Sequence, residues 1–572
     1  MKINKYISVI AVGTLLLAIT SCSSYLDKDP ENSVPEKNVD FTDVSNMYQP
    51  VSGVYAKLRT GGMHWVIWPL SIIRDDDVWS GRVDDQAILN QFGGKTDDPT
   101  GYNYDNTFWG LNEMWNQYYG MIKVANAALE SLNNYAENTT NSTVLTTNKS
   151  YQGEVRILRA YAYWRLTQAF GPVTILSSNS QTDLTRSTVK SVYNYILSDL
   201  QYAMDNCPKV RPNEMEHVGA ATAYTAEALA AKIYLNEGDY AKVEDLTNDI
   251  INSNKFHLYP DFYELFKIPG KLCDESLLEC QCTDFGLGSG DMVDADQWFV
   301  FQGPANDGDI SGWGFIGLYK SFRNWAKDRG ETVRYTTSFL EAGTTTPSGD
   351  VIRPLQNPTQ TDCWNGKAYT PLNQLTPGRT KYGTNNNARI FRYAEVLLNY
   401  AEALAEFEGA SAQEKIAKAL QPLRDRVGMP GIDFQREYNT DHDYPFHHLE
   451  ATIQVVRRER RIELACEGIR MFDIFRWAAA DILIANKEML GALFTGSNME
   501  AANTADGYFK GNLIYDKPTG NNLYLSGKPG DAKRYISPYK GVCPNGLTFN
   551  VNRDYLYPIS LDEIALTGNM WK

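Results

Sequence analysis

The chain is expected to take a mainly α fold, in which antiparallel helix pairs form a scaffold that carries large loop-rich regions. Three observations predict this. Four stretches repeat apolar residues every three or four positions, which is the spacing of one helix face. Residues 261–388 and 495–550 show no such period; the first stretch is rich in Gly, Asp and Trp and the second in Gly and Asn. The 572 residues are 43% hydrophobic, enough for a large core in one interlocked unit or several domains.

The first segment, MKINKYISVIAVGTLLLAITSC, has Lys2 and Lys5 ahead of an apolar run from Ile7 to Ile19. A spanning helix needs roughly 20 apolar residues, so this run reads as a signal peptide. Ile19-Thr20-Ser21-Cys22 resembles a bacterial lipobox, which makes Cys22 the expected lipid attachment point. Each buried methylene contributes about 0.8 kcal/mol, and two or more acyl chains anchor stably. The polar, Pro-containing stretch that follows reads as a tether.

Phe108 to Ala128 places Leu111, Trp115, Tyr118, Ile122 and Ala125 on one helical face. Glu154 to Phe170 does the same with Val155, Leu158, Ala162, Leu166 and Ala169, and Gly171-Pro172 stops it. Ala226, Leu229 or Ala230, and Ile233 mark a helix that turns at Gly238-Asp239 into a return helix through Val243, Leu246 and Ile250. The small residues permit close antiparallel packing, as in a tetratricopeptide-type hairpin. The fourth stretch, RYAEVLLNYAEALAEFEG, sets a polar stripe of Glu395, Asn399, Glu402 and Glu406 opposite Ala394, Leu397 or Leu398, Ala401 and Leu404. Helical patterning continues through TIQVVRRERRIELACEGIRMFDIFRWA. There, opposite charges at Arg460–Glu463, Glu467–Arg470 and Asp473–Arg476 read as helix-surface pairs.

Net charge is −15, which disfavours nucleic acid as a partner because phosphate binding needs a basic surface. After Cys22 the cysteines are Cys207, Cys273, Cys280, Cys282, Cys363, Cys466 and Cys543, without zinc-finger spacing. A disulfide is compatible with an extracytoplasmic location. The six histidines form no metal-binding motif, and there is no G-x-S-x-G, P-loop or dinucleotide fingerprint. Carboxylates cluster in RDDDV and DMVDADQ, a composition that suits structural calcium, but the EF-hand pattern is absent and a solvated acidic loop is the plainer reading. No cofactor is expected.

Loops over 12–15 residues are uncommon unless functional, so the site is sought there. GGMHWVIWPLSIIRDDDVWSGRVDDQ offers tryptophans beside aspartates. A flat ring covers the apolar face of a pyranose, and Asp, Asn or Arg beside it satisfies the hydroxyl rim. Trp79, Trp298, Trp313 and Trp364, in Gly/Asp/Asn-rich segments, are therefore candidate sugar contacts. Trp115, Trp164 and Trp477 lie on helical stripes and read as core, and so do Trp65 and Trp68 among their apolar neighbours. A hydrolytic pair at Glu463 and Glu467 is disfavoured: they stand one turn apart among arginines that hold both ionised, whereas a retaining pair needs one protonated carboxyl about 5 Å across a cleft.

Blocks in order along the chain carry a resemblance to the SusD/RagB family of outer-membrane lipoproteins. They are the lipobox with Tyr25-Leu26-Asp27, Trp115 to Asn126, Glu154 to Tyr163 with Phe170-Gly171, and the Ala228–Tyr240 hairpin. Gly312-Trp313-Gly314 with Asp328-Arg329, Arg392 to Ala403, Glu459 to Trp477 and Tyr555 to Ile559 complete the set. The resemblance implies a SusD-like scaffold of four tetratricopeptide-like helix pairs. It divides the chain into a signal peptide (1–21), a lipidated tether (22–40), an N-terminal helical scaffold (41–260), a loop-rich ligand-binding insert (261–388), a C-terminal helical part (389–480) and a loop-rich end (481–572). It implies a non-catalytic, surface-facing lipoprotein that binds oligosaccharide or polysaccharide and partners a SusC-like TonB-dependent porin. Loops after the first helices and loops of the insert form the family's ligand site, which points here to Asp75, Asp76, Trp79, Asn103, Tyr104, Trp298 and Trp313. A lipid-anchored glycoside hydrolase, a protein-binding scaffold and a peptide-capturing receptor stand as alternatives.

Overall fold

The computed structural model describes residues 39–63, 65, 67–73, 77–80, 106–283, 298–304, 310, 312–318, 320–354, 361–375, 384–439, 450–480 and 556–567. In the N-terminal half, helices α1 (Gln49–Lys57) and α2 (Ile67–Ile72) precede a short strand β1 (Val78–Ser80). Five longer helices follow: α3 (Trp109–Glu137), α4 (Ser142–Phe170), α5 (Val189–Asn206), α6 (Ala223–Glu237) and α7 (Tyr240–Asn252). The insert holds β2 (Ser276–Cys280), α8 (Trp298–Gln302), β3 (Ile316–Leu318), α9 (Lys320–Asp328), α10 (Val333–Ser338), β4 (Phe339–Glu341), β5 (Cys363–Asn365) and β6 (Ala388–Arg392). Then come α11 (Tyr393–Phe407), α12 (Gln413–Arg426), α13 (Phe434–Asn439), α14 (Ala451–Glu463), α15 (Arg470–Ala480) and α16 (Leu561–Leu566).

The four periodic stretches are helices, and α3 and α4 extend well beyond their strictest periodicity. Asn141 caps α4, its side chain accepting from the Thr143 N–H at 2.9 Å. Gly238, left-handed at φ 72°, ends α6, and Asp239 caps α7 through the Lys242 N–H. Successive helices pack as neighbours: α3 on α4, α4 on α5, α5 on α6 and α6 on α7. The next partner of α7 is α11, far along the chain. The insert thus leaves the helical stack and returns to it. Its feet are β2 and β6, paired antiparallel with Ser276 opposite Arg392 and Cys280 opposite Ala388. One apolar core contains residues from Met47 to Ile559, and smaller clusters lie beneath the insert.

The charge pattern departs from the sequence expectation. Arg460 and Glu463 do not pair with each other on a solvated helix surface. α14 and its neighbours are buried, and their charges meet partners from distant elements. Glu463 accepts from Arg392 at 2.7 Å and Arg426 at 2.5 Å. Glu275 accepts from the same two arginines, each at 2.8 Å. Glu459 accepts from Arg334 at 2.5 Å and Arg424 at 3.0 Å. Arg460 pairs with Asp473 at 3.0 Å, and the expected Asp473–Arg476 pair is present at 2.8 Å. The polar stripe of α11 is also buried: Glu395 meets Lys232, Asn399 meets Arg460, and Glu402 meets Arg476. The cause is that α11 and α14 sit between other layers, so both of their faces are covered.

Glu154 belongs to a different environment. It is buried, and its Oε2 accepts from the hydroxyls of Tyr48 (3.0 Å) and Tyr55 (3.1 Å), while Oε1 has no partner. Burial pushes its carboxyl up to about 8, against the lowering effect of the two tyrosines. Arg156 and Arg159 serve structure too: both bond Asp199 at 2.8 Å.

Two expectations follow for stability. Glu463→Gln leaves buried arginines short of a counter-charge and should cost about 3–5 kcal/mol. Lys190→Met breaks the exposed Lys190–Glu237 pair and should cost less than about 1 kcal/mol. Equal costs in denaturant unfolding would refute the burial argument. For Glu154, the native state retains a proton that the unfolded state loses between its ordinary value of 4.5 and about 8. Stability should therefore fall as pH rises through that window, by up to about 1.4 kcal/mol per unit, and level off above it. Glu154→Gln should flatten this dependence in urea titrations run at a series of pH values; an unchanged slope would exclude Glu154 as its source.

Candidate functional site

Two links bring the loop after α2 against the insert. β1 pairs antiparallel with β3, Val78 opposite Leu318 and Trp79 opposite Gly317. One residue before β1, the buried Asp77 carboxylate accepts from Arg461 Nε at 2.9 Å, which fastens the segment to α14. Within the insert, the Gly312 N–H donates to Pro304 O at 2.6 Å and the Phe315 N–H to Phe301 O at 2.8 Å, so α8 and the Gly312–Phe315 turn form one unit. Gly314 has φ 72°, where a side chain would be strained. That bend sets Trp313 against Trp65.

The outcome is an aromatic cluster assembled from three separate parts of the chain. The Trp65 ring lies 5.0 Å from Trp313 at 86°, 5.7 Å from Trp109 at 61° and 6.1 Å from Phe315. Phe108 is 5.7 Å from Trp109, and Phe315 is 5.6 Å from Trp313. Edge-to-face contacts at these distances hold the rings in place. Trp65, Phe108, Trp313 and Phe315 are half-buried, and Trp109 is 42% exposed. The start of α16 buttresses the Trp109 end. The Leu561 N–H donates to Asn106 O at 3.1 Å, and Ser560 Oγ bonds Asn112 Oδ1 at 3.1 Å. The arrangement presents rigid apolar ring surface to solvent, chemistry suited to stacking on a ligand with an apolar face.

The predicted residues divide. Trp313 stands in this cluster. Trp298 lies alongside, on α8, with its ring 3.9 Å from that of Trp68. The backbone of Trp79 is in β1, facing the insert strand. Trp364 does not join them. It is 2% exposed and packs in a satellite core with Tyr263, Leu340, Ile352 and Tyr369. Its strand β5 is covered on both faces, so the local Gly/Asn content signalled a tight turn over a core. Asp75, Asp76, Asn103, Tyr104 and Cys22 lie outside the described residues. Asp77, third of the RDDDV carboxylates, is committed to Arg461, and Asp291, Asp294 and Asp296 lie outside the described residues. Among the described residues no group of three His, Cys, Asp or Glu side chains could hold a metal ion. No disulfide joins the six described cysteines to one another.

Sequence reasoning placed Trp65 in the core and passed over Trp109. The signal for Trp109 was present: it precedes Leu111 by two positions, and at about 100° per residue that puts it on the opposite side of α3 from the apolar face. Trp115, Trp164 and Trp477 are buried as expected. Glu463 and Glu467 are no part of the aromatic cluster: arginines hold both, and Lys367 also holds Glu467. Burial raises both carboxyls, but Arg392 with Lys367 outweighs it at Glu467, held at about 2, and Arg426, Arg392 and Arg334 outweigh it at Glu463. Neither retains the proton that a general acid needs.

Comparison with known proteins agrees with this architecture. The profile of the SusD family matches residues 275–572, and a profile described as starch-binding associating with outer membrane matches residues 24–235. The SusD-like protein P2 of Formosa agariphila is 25% identical over 496 residues, 81% of this chain and 89% of that one. Among solved structures, a SusD homolog from Bacteroides thetaiotaomicron superposes with a TM-score of 0.68 at 20% identity, covering 92% of this chain and 96% of its own. The surface glycan-binding protein A of the same species, in complex with laminarihexaose, gives a TM-score of 0.62 at 19% identity over 92% of this chain and 98% of its own. At these identities the solved structures establish likeness of fold.

Burial separates two tryptophans that composition treated alike or overlooked. Trp364→Ala should cost about 3–5 kcal/mol in chemical unfolding. Trp109→Ala should cost about 1–2 kcal/mol, the worth of its edge contacts with Trp65 and Phe108. A reversal of that order would contradict the placement of both rings.

Proposed function

The chain belongs to the SusD family, and on that premise we propose that it is a lipid-anchored surface receptor that captures oligosaccharide or polysaccharide without cleaving it. The carrying observation is the Trp65–Trp109–Trp313 cluster, a fixed ring surface at the junction of the first loops and the insert. A pyranose stacked on it buries its C–H face, and polar side chains nearby bond the hydroxyls. Asp75, Asp76, Asn103, Tyr104 and the Trp79 side chain are the proposed partners for that rim, with Trp298 extending the aromatic surface. The laminarihexaose complex of the Bacteroides thetaiotaomicron protein supports a glycan ligand. The outer-membrane description of the profile over residues 24–235 supports anchoring there through Cys22. Captured glycan then passes to a SusC-like TonB-dependent porin across a broad face of the protein. The engaged state of Glu463 and Glu467 favours capture over hydrolysis.

The test is native gel electrophoresis of the mature protein in a panel of plant, host and microbial polysaccharides, followed by a reducing-end assay on the same mixtures. Retardation by at least one polysaccharide, with no new ends, is expected. Trp313→Ala should weaken it up to about tenfold, since one ring contact is worth about 0.5–1.5 kcal/mol. New reducing ends would overturn the non-catalytic reading, and unchanged retardation in Trp313→Ala would overturn the site.

A further inference from the structure

Beside the aromatic cluster, behind Trp68 and Trp298, lies an open-mouthed cavity of about 70 Å³. It runs between α2, α4, α6, β6 and α15. Half-buried Gln168, Asn236 and Phe472 line it, so it is reachable from solvent.

Most of its charges are paired, Glu467 with Arg392 and Lys367 among them. Lys232 pairs with Glu395, Arg389 with Glu279, Arg460 with Asp473 and Arg476 with Glu402. Arg165 has no such partner. It is only 7% exposed, and its donors go to neutral acceptors: Tyr118 Oη at 3.3 Å, Gln168 Oε1 at 3.2 Å and Ser71 Oγ at 2.5 Å. Three bonds leave two of its five N–H groups unused. The rings of Trp164 and Phe472 lie 5.6 Å and 5.3 Å from its guanidinium, which offsets only part of the cost of an unpaired buried charge. A second donor on the same wall is idle: Trp164 Nε1, buried, has no acceptor. Arg334, Arg392, Arg424, Arg460 and Arg476, all buried, each bond at least one carboxylate, whereas Arg165 keeps free N–H donors on the wall of an accessible cavity.

We infer that this cavity binds an oxyanion carried on a sugar ring, with Arg165 as its counter-ion. The shared chemistry is that of a uronate carboxylate or a sulfate ester: two or three acceptor oxygens in the geometry of a guanidinium fork. Half-buried Trp298 supplies ring surface for the sugar, and the Trp164 N–H supplies a further donor. The sugar half of this inference rests on the glycan-capture reading; the anion half rests on Arg165. The receptor would then favour acidic over neutral glycans, reading the neutral ring faces on the outer cluster and the charge inside.

The test is calorimetry and thermal shift on the purified mature protein with glucuronic acid, glucose 6-sulfate, glucose and inorganic sulfate. One or both acidic sugars should bind at least tenfold more tightly than glucose, and whichever responds identifies the source of the anion. Arg165→Gln should erase that difference, keep the melting temperature of the unliganded protein, and leave retardation by neutral polysaccharides intact. If that variant does not fold, Trp164→Phe, which removes one donor and keeps the ring, should reduce the preference severalfold. Equal binding of glucuronic acid, glucose 6-sulfate and glucose overturns the inference, as does a preference that survives in the substituted proteins. Neutral polysaccharide retarded while both acidic sugars are silent overturns it as well, and leaves glycan capture standing. Stabilisation by inorganic sulfate through Arg165, with every saccharide silent, supports the anion site and overturns glycan capture.

Discussion

A charge taken out of water has to be matched, and that constraint organises the C-terminal half of this protein. Arg392 illustrates it. The residue closes β6 and opens α11, and its guanidinium meets Glu275 at the start of β2, Glu463 at the end of α14 and Glu467 just beyond. Arg426 on α12 shares two of those carboxylates. The lattice continues through Glu459 to Arg334 in the insert. Pairs of this kind add little net stability over a well-packed apolar core, but a shifted register leaves charges unpaired, which is costly. The lattice therefore specifies where the insert's feet, α11, α12 and α14 sit relative to one another.

The aromatic cluster depends on that specification. Trp65 reaches Trp313 because β1 is paired to β3 and Asp77 is held by Arg461 on α14. Trp109 reaches Trp65 because α3 packs on the α1 side of the stack and α16 braces its leading end. Rings contributed by three chain segments are thus held by polar and backbone interactions beneath them, while their outer surfaces stay available. Charge beneath and aromatic surface above divide the work between holding and binding. Arg165, buried with neutral acceptors only, lines a cavity next to the rings.

Gly468 shows how close the two systems come. It has φ 70°, and a Cβ there would stand 2.8 Å from the Trp68 ring. The turn between α14 and α15 can pass against the tryptophan only because that position has no side chain.

Much of the scaffold was legible in the sequence. Apolar spacing located α3, α4, α6, α7 and α11, Gly238 located a turn, and Trp115 and Trp477 were assigned to the core from their stripes, because helix periodicity and capping are local properties of neighbouring residues. The sequence also marked Trp313 between two glycines. It could not show that the stripe of Glu395, Asn399 and Glu402 is interior, since a helix buried on both faces and one half in water can share the same local pattern when distant arginines supply the partners. Nor could it separate Trp364 from Trp313, or Trp65 from Trp68, three residues apart. Those outcomes depend on which strand pairs with which across more than two hundred residues. Local chemistry thus determined the elements and the kinds of side chain available; only the tertiary structure decided which of them face one another, because burial and charge pairing are relations between segments that the chain order does not contain.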